Sequence, residues 1–186
     1  MKKILMTIAA AFVAVSMSAQ VYVGGNIGIA SVGGENIDDE TVVKFMPEVG
    51  FNLNDQWAIG TVVGYAKSPI GGVTKLGNLG YNAIASESCF IFAPYARYTF
   101  SVAKNVSLFV DGGFDFTSGS DGDYTALSIG FKPGLAVSLS DNVSIVAHAG
   151  FVGYDSINPD GDNNNTHAWG LDFGSNNLSF GLYFSF

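Results

Sequence analysis

From Leu178 to the last residue, apolar and small or polar positions alternate strictly. Leu178, Phe180, Leu182, Phe184 and Phe186 fall on one face, and Ser179, Gly181, Tyr183 and Ser185 on the other. Residues 127–139 repeat the pattern, with Leu127, Ile129, Phe131, Pro133, Leu135, Val137 and Leu139 against Ser128, Gly130, Lys132, Gly134, Ala136 and Ser138. Side chains of a strand point alternately to the two sheet faces, so a period of two predicts β-structure with one apolar face. The same reading predicts eight strands, at 21–30, 41–52, 56–66, 88–102, 105–117, 124–139, 142–154 and 177–186. Three connections are tight and rich in Asn, Asp and Ser: Asn52–Gln56, Ala103–Asn105 and Ser140–Asn142. Four are longer and polar: Ser31–Glu40, Lys67–Glu87, Ser118–Asp123 and Asp155–Asn176. Alternation of short turns and long loops is the pattern of an up-and-down transmembrane barrel.

One hairpin recurs. Phe45-Met46-Pro47, Phe92-Ala93-Pro94 and Phe131-Lys132-Pro133 each open a strand that runs to a tight turn. The following strand reaches Gly64-Tyr65, Gly113-Phe114 or Gly150-Phe151. Proline removes a ladder donor, so these three are expected to mark bulges that bend a closed sheet.

The N-terminus breaks the period. Lys2 and Lys3 precede an apolar run from Ile4 to Val15, followed by Ser16, Met17, Ser18 and Ala19. This is the layout of a secretory signal peptide over residues 1–19, too short to span a bilayer. The barrel domain is then expected over 20–186. Cleavage after Ala19 makes Gln20 the mature start, whereas cleavage after Ser18 puts the small Ser16 at the −3 position.

Composition narrows the class further. The 186 residues include 24 Gly and 15 Phe, and only 13% are charged. A mean hydropathy of +0.30 argues against disorder. So much Gly with so few Lys, Glu and Arg opposes a helical bundle. With 8 basic against 16 acidic residues there is no basic patch for nucleic acid. The single Cys89 excludes a disulfide scaffold. No later stretch approaches 18 continuous apolar residues, so no transmembrane helix is expected.

The two faces differ in kind. The apolar face carries no formal charge; the other is dominated by Gly, Ala and Ser. A strand face in water would not be built of Gly, which packs nothing and weakens strands. Crowding inside a narrow barrel explains small residues, and lipid explains a charge-free Phe, Leu and Val face, because a charge at midplane costs about 2–4 kcal/mol. Phe51, Trp57 and Tyr98 near the turn end, and Tyr65, Phe90, Phe116 and Phe151 near the loop end, are expected to form aromatic girdles.

With these features the chain resembles the small eight-stranded outer-membrane barrels of Gram-negative bacteria, such as the transmembrane domain of outer membrane protein A and OmpX. The resemblance spans residues 20–186. It rests on the signal, the strand count, the loop alternation and the terminal Phe180-Gly181-Leu182-Tyr183-Phe184-Ser185-Phe186. It implies an all-β fold, a single eight-stranded antiparallel up-and-down barrel reached by export through the periplasm. It also implies that Phe180, Leu182, Phe184 and Phe186 form the C-terminal signal read by the barrel-assembly machinery. Expected partners are outer-membrane lipid and lipopolysaccharide, with no cofactor, and the closed barrel, lacking a free edge, is expected to be a monomer.

Every charge within the expected strands has inward parity: Lys44, Glu48, Arg97, Asp111, Asp115 and Lys132, joined by His148. Strands four and five are adjacent, and their turn puts Arg97 opposite or diagonal to Asp111. Buried charges must be paired, so an ion-pair network filling the lumen is expected; a charged constriction in a narrow porin-like channel is the alternative. Catalytic arrangements fail. His148 is followed by Ala149 and Gly150, and His167, placed in the fourth loop, by Ala168 and Trp169. Neither has a nucleophile at suitable spacing, and Cys89 has no basic neighbour in sequence to activate it. Asp160, Asp162 and Asn164 have the one-three-five spacing of a calcium loop, but Asn165 and Leu171 stand where Gly and Glu are required, leaving only a weak divalent-cation candidate. The reading is a non-enzymatic outer-membrane protein whose four acidic loops face outward.

Overall fold

The computed structural model describes residues 20–34, 37–67, 88–119, 124–159, 165–174 and 178–186. The signal segment 1–19 and the calcium-like triad Asp160, Asp162 and Asn164 lie outside the described residues. The strands are β1 (Gln20–Gly34), β2 (Ile37–Asn52), β3 (Trp57–Lys67), β4 (Ser88–Ala103), β5 (Val106–Gly119), β6 (Tyr124–Ser138), β7 (Val143–His148), β8 (Phe151–Pro159), β9 (Thr166–Asp172) and β10 (Ser179–Ser185). Consecutive strands pair antiparallel from β1 to β6. β6 then pairs with β7 and β8, β8 with β9, β7 with β10, and β10 with β1. β7 with β8 makes one interrupted stave and β9 with β10 another, so the sheet is a closed eight-stranded antiparallel barrel.

The period of two decides the faces. Ile27, Phe45, Val63, Phe92, Phe114, Ile129, Leu182 and Phe184 are exposed, and Tyr22, Met46, Val62, Ile91, Tyr95 and Tyr183 are buried. Trp57 is register partner to Tyr98, and their rings meet edge to face at 4.9 Å. Tyr98 in turn meets Phe100 at 4.7 Å. Tyr65, Phe90 and Phe116 are exposed at the loop end.

Three expectations are corrected. Pro47 and Pro94 are not bulges. Pairing between β2 and β3 lapses at Met46 and Pro47 and resumes in the same register, as it does between β4 and β5 at Ala93 and Pro94. A missing donor therefore removes ladder bonds there without adding a residue. At Pro133 the bulge is on the partner stave. Phe131 pairs with Val152 and Gly134 with His148, so two residues of β6 face three across Ala149 and Gly150. Gly150 has φ +77°, the left-handed region that glycine reaches without a Cβ penalty, and Ala149 donates its N–H to the Pro133 carbonyl at 3.0 Å.

That extra residue reverses the parity of the rest of its stave. Phe151 is fully buried, not part of the outer girdle, while Val152 and Tyr154 face outward. Strand pairing also runs farther than the hydrophobic signal. β8 continues to Pro159 and β9 begins at Thr166, so His167 lies on a strand, not in a loop. Asp155, expected in the fourth loop, lies on β8 and is 5% exposed.

The small inner residues are notches for large rings. A Cβ on Gly60 would lie 2.6 Å from the Tyr95 ring, and one on Gly24 2.7 Å from the Tyr183 ring. Gly50 lies in the same way under Tyr22, and Gly134 under Phe109. Two apolar clusters line the inside of the barrel. Tyr22, Ala58, Tyr95, Phe109, Val146 and Tyr183 occupy the turn half; Met46, Val62, Ala66, Cys89, Ile91, Ala93 and Tyr124 occupy the loop half.

Candidate functional site

Between and beside these clusters lies a knot of buried charge. β4 and β5 are joined by the short turn after Ala103, and their register makes Arg97 and Asp111 direct partners. The guanidinium grips the carboxylate with two hydrogen bonds, Nε to Oδ1 at 2.6 Å and a terminal nitrogen to Oδ2 at 2.8 Å. Such a two-point, charge-assisted contact fixes orientation as well as charge. Asp111 is fully buried and Arg97 is 8% exposed. On the far side of β5, Lys132 is the register partner of Asp111 and is also buried.

Two more polar side chains reach the knot, each from two staves away, Glu48 from β2 to Arg97 and His148 from β7 to Asp111. The Arg97 guanidinium lies 3.6 Å from Glu48 Oε1. His148 Nε2 lies 3.0 Å from Asp111 Oδ2 and 3.5 Å from the guanidinium. Arginine only donates and a carboxylate only accepts, so the shorter contact assigns the Nε2 proton as a donor to Asp111. The His148 ring meets Phe109 edge to face at 5.1 Å.

Glu48 is held by tyrosines. Tyr95 donates to its Oε1, and Tyr183 donates to its Oε2 at 2.6 Å. Tyr22 and Tyr95 hydroxyls are 2.6 Å apart. Because Tyr95 gives its proton to Glu48, Tyr22 is the donor between them. Arg97 also lies over four rings, Phe109 closest at 4.1 Å and Tyr95 at 5.4 Å, a cation–π setting that suits a guanidinium in a confined, apolar space. The site thus joins Glu48, Arg97, Asp111 and His148 into one assembly with four aromatic residues.

The remaining inward charges lie toward the loops. Asp115 is buried, with the Thr117 hydroxyl at 3.4 Å, and its charge acts on the half-buried Lys44. Ser128 is register partner to both Asp115 and Asp155, which brings a second acidic stave to this level. Parity found the face of each charge. It did not single out Tyr22, Tyr95, Tyr183 and Phe109, whose rings reach across the lumen; bulky rings at inward positions among glycines were the available signal. It also missed Asp155, because the bulge that turns it inward leaves no mark on the hydrophobic pattern.

Ser179 is the register partner of His148, whose Nε2 is turned to Asp111. His167 is exposed on β9, stacks on Tyr154 at 6.1 Å and is register partner to Ser156, but no hydrogen bond joins that Ser and His among the described residues. Cys89 is buried within the loop-side cluster. Among the described residues no group of three metal-ligating side chains converges.

No curated protein matches the chain. Among solved structures, the chain is similar to Neisserial surface protein A (NspA), with 16% identity, a TM-score of 0.48, and coverage of 90% of this chain and 96% of that one. A family model described as "Outer membrane protein beta-barrel domain" matches residues 4–184. The closed eight-stranded barrel, its apolar exterior and this match over nearly the whole chain lead to one statement: the chain belongs to the outer membrane protein β-barrel domain family.

Proposed function

We propose that this outer-membrane barrel is a non-enzymatic anchor whose lumen is closed by its own ion pairs and whose outward loops make the functional contacts. The observation that carries the reading is the two-point Arg97–Asp111 pair, buried at the centre of an eight-stranded barrel and crossed by Glu48 and His148. Eight strands enclose only enough room for side chains, and here rings and charges occupy it. A passage for ions would have to break contacts that leave buried charges exposed to one another, at a cost of several kcal/mol. Among the described residues no hydrogen bond joins a nucleophile to a base on the lipid side. The loop expected over Ser31–Glu40 is largely strand, with Asp38, Asp39 and Glu40 on the loop-end stretch of β2, and this acidic excess suits cationic partners, or lipopolysaccharide bridged by divalent cations. In this reading the chain is exported through the periplasm, inserted by the barrel-assembly machinery through its terminal Phe180, Leu182, Phe184 and Phe186, and works as a monomer.

The second reading is a narrow channel, favoured by the same inward charges. Single-channel recording in planar bilayers separates the two. Protein shown to be inserted by its heat-dependent gel mobility is expected to be silent. Steady openings that change with Arg97→Ala or Asp111→Ala would make the charged knot a pore constriction and overturn the closed-lumen reading.

A further inference from the structure

A groove of about 450 Å³ lies on the outside of the barrel, across β4, β5 and β6. Its floor is the register pair Ala96–Gly112, two outward positions that carry almost no side chain. Its walls are Tyr98 and Trp57 on one side and Phe131 on the other, with Phe114 and Ile129 toward the loop end. No charged side chain lines it. Trp57, Phe114, Ile129 and Phe131 are between 43% and 60% exposed, so the groove opens to whatever surrounds the barrel.

In a membrane barrel that surrounding is hydrocarbon. An apolar cleft holds no water, and an empty one forfeits contact on every wall. From Val110 to Phe114 the lining spans four residues of β5, about 13 Å at roughly 3.3 Å per residue. With strands tilted about 35–45°, that is roughly 10 Å of depth, under half of the apolar band of roughly 25 Å on such barrels. The groove therefore runs through one leaflet only. Its mouth lies beside the short turn Asn52–Gln56, where Gln56 donates to the Tyr98 hydroxyl at 3.1 Å and Trp57 packs on Tyr98. Amphipathic rings with a polar partner mark headgroup depth. The groove is thus continuous with the interfacial girdle at its polar end and with the bilayer interior at the other.

We infer that this groove is a binding site for one acyl chain of a phospholipid of the turn-side leaflet, with its headgroup at the Gln56–Tyr98 level. A second copy of the barrel fits less well. Ten residues line the groove, against the 20–30 per partner of a stable protein interface. The inference rests on the outer-membrane reading of the fold. The site exists because position 112 is glycine: a Cβ there would meet the Phe131 ring at 2.8 Å, and a longer side chain would occupy the space.

Trp57 is a built-in reporter. The chain has two tryptophans, so Trp169→Phe leaves Trp57 alone. Phosphatidylethanolamine brominated on one acyl chain is titrated into the full barrel in detergent, and Trp57 quenching is followed. Quenching is expected to saturate near one lipid per barrel and to require several-fold more lipid in Gly112→Leu. Ala96→Leu, which fills the floor from the neighbouring strand, serves if Gly112→Leu does not fold. Heat-dependent mobility in the parent tests the barrel itself, separately from the lipid. Quenching that rises without saturation, or is the same in the parent and the folded filled variants, overturns the site. Cross-linked dimers that vanish in the filled variants would also overturn it, by giving the groove to a second copy.

Discussion

Removing Asp111 is the sharpest perturbation of the lumen. Its carboxylate accepts two hydrogen bonds from Arg97 and one from His148, at 2.6, 2.8 and 3.0 Å, with no exposure to solvent. Asp111→Ala strands a buried guanidinium whose next carboxylate is Glu48 at 3.6 Å, already engaged by Tyr95 and Tyr183. Breaking a buried pair by removing one partner costs about 3–5 kcal/mol, and the residual attraction of Glu48 sets the expectation near the lower end, about 3 kcal/mol. Arg97→Met keeps much of the stem that packs on Phe109 but removes the charge, and costs about the same. The two together leave no stranded charge at either position. The double variant is therefore expected to be far more stable than the sum of the singles predicts, with a coupling of about 2–3 kcal/mol. The assay is urea unfolding of the barrel in lipid vesicles, with the folded fraction read from the mobility of unheated samples. Additivity within about 0.5 kcal/mol would refute the reasoning. It would mean that water enters the lumen and solvates each charge independently.

The other predictions follow from particular residues. Gly150→Val places a β-branched residue at φ +77° with its Cβ overlapping the Phe173 ring, and is expected to cost at least about 1–2 kcal/mol, read as a lower urea midpoint; Gly150→Asn, better suited to that backbone, costs less. Val152→Arg puts a charge on the lipid side because of the bulge, and is expected to cost about 2–4 kcal/mol near midplane. Unchanged stability on insertion would restore the uninterrupted alternation. The Cys89 thiol is 1% exposed, so a thiol reagent is expected to label it only after unfolding in urea; rapid labelling of the folded barrel would show that the loop-side lumen is open.

Much of the architecture was legible in the order of residues. Period-two alternation follows from strand geometry alone, so the number of staves, their apolar faces and the tight turns could be read locally. The facing of Arg97 and Asp111 was legible too, because a short turn fixes antiparallel register and register fixes which positions meet. Parity further assigned Lys44, Glu48, Asp115, Lys132 and His148 to the inner face.

Three things required the closed sheet. The first is the parity switch at Ala149 and Gly150: a bulge adds one residue without changing composition, and it sent Phe151 and Asp155 inward while turning Val152 and Tyr154 outward. The second is the length of β8 and β9. Beyond Tyr154 β8 is polar apart from Ile157, and in β9 the alternation of Trp169 and Leu171 with Ala168, Gly170 and Asp172 is short, so His167 and Asp155 read as loop. The third is the site itself. Glu48 and Tyr183 are 135 residues apart in sequence, yet closure makes both of them register partners of Gly24, and their hydrogen bond passes over that glycine from one side of β1 to the other. Alternation tells which way a side chain points from its own strand. Only the curvature of the closed sheet decides which side chain it meets on the other side.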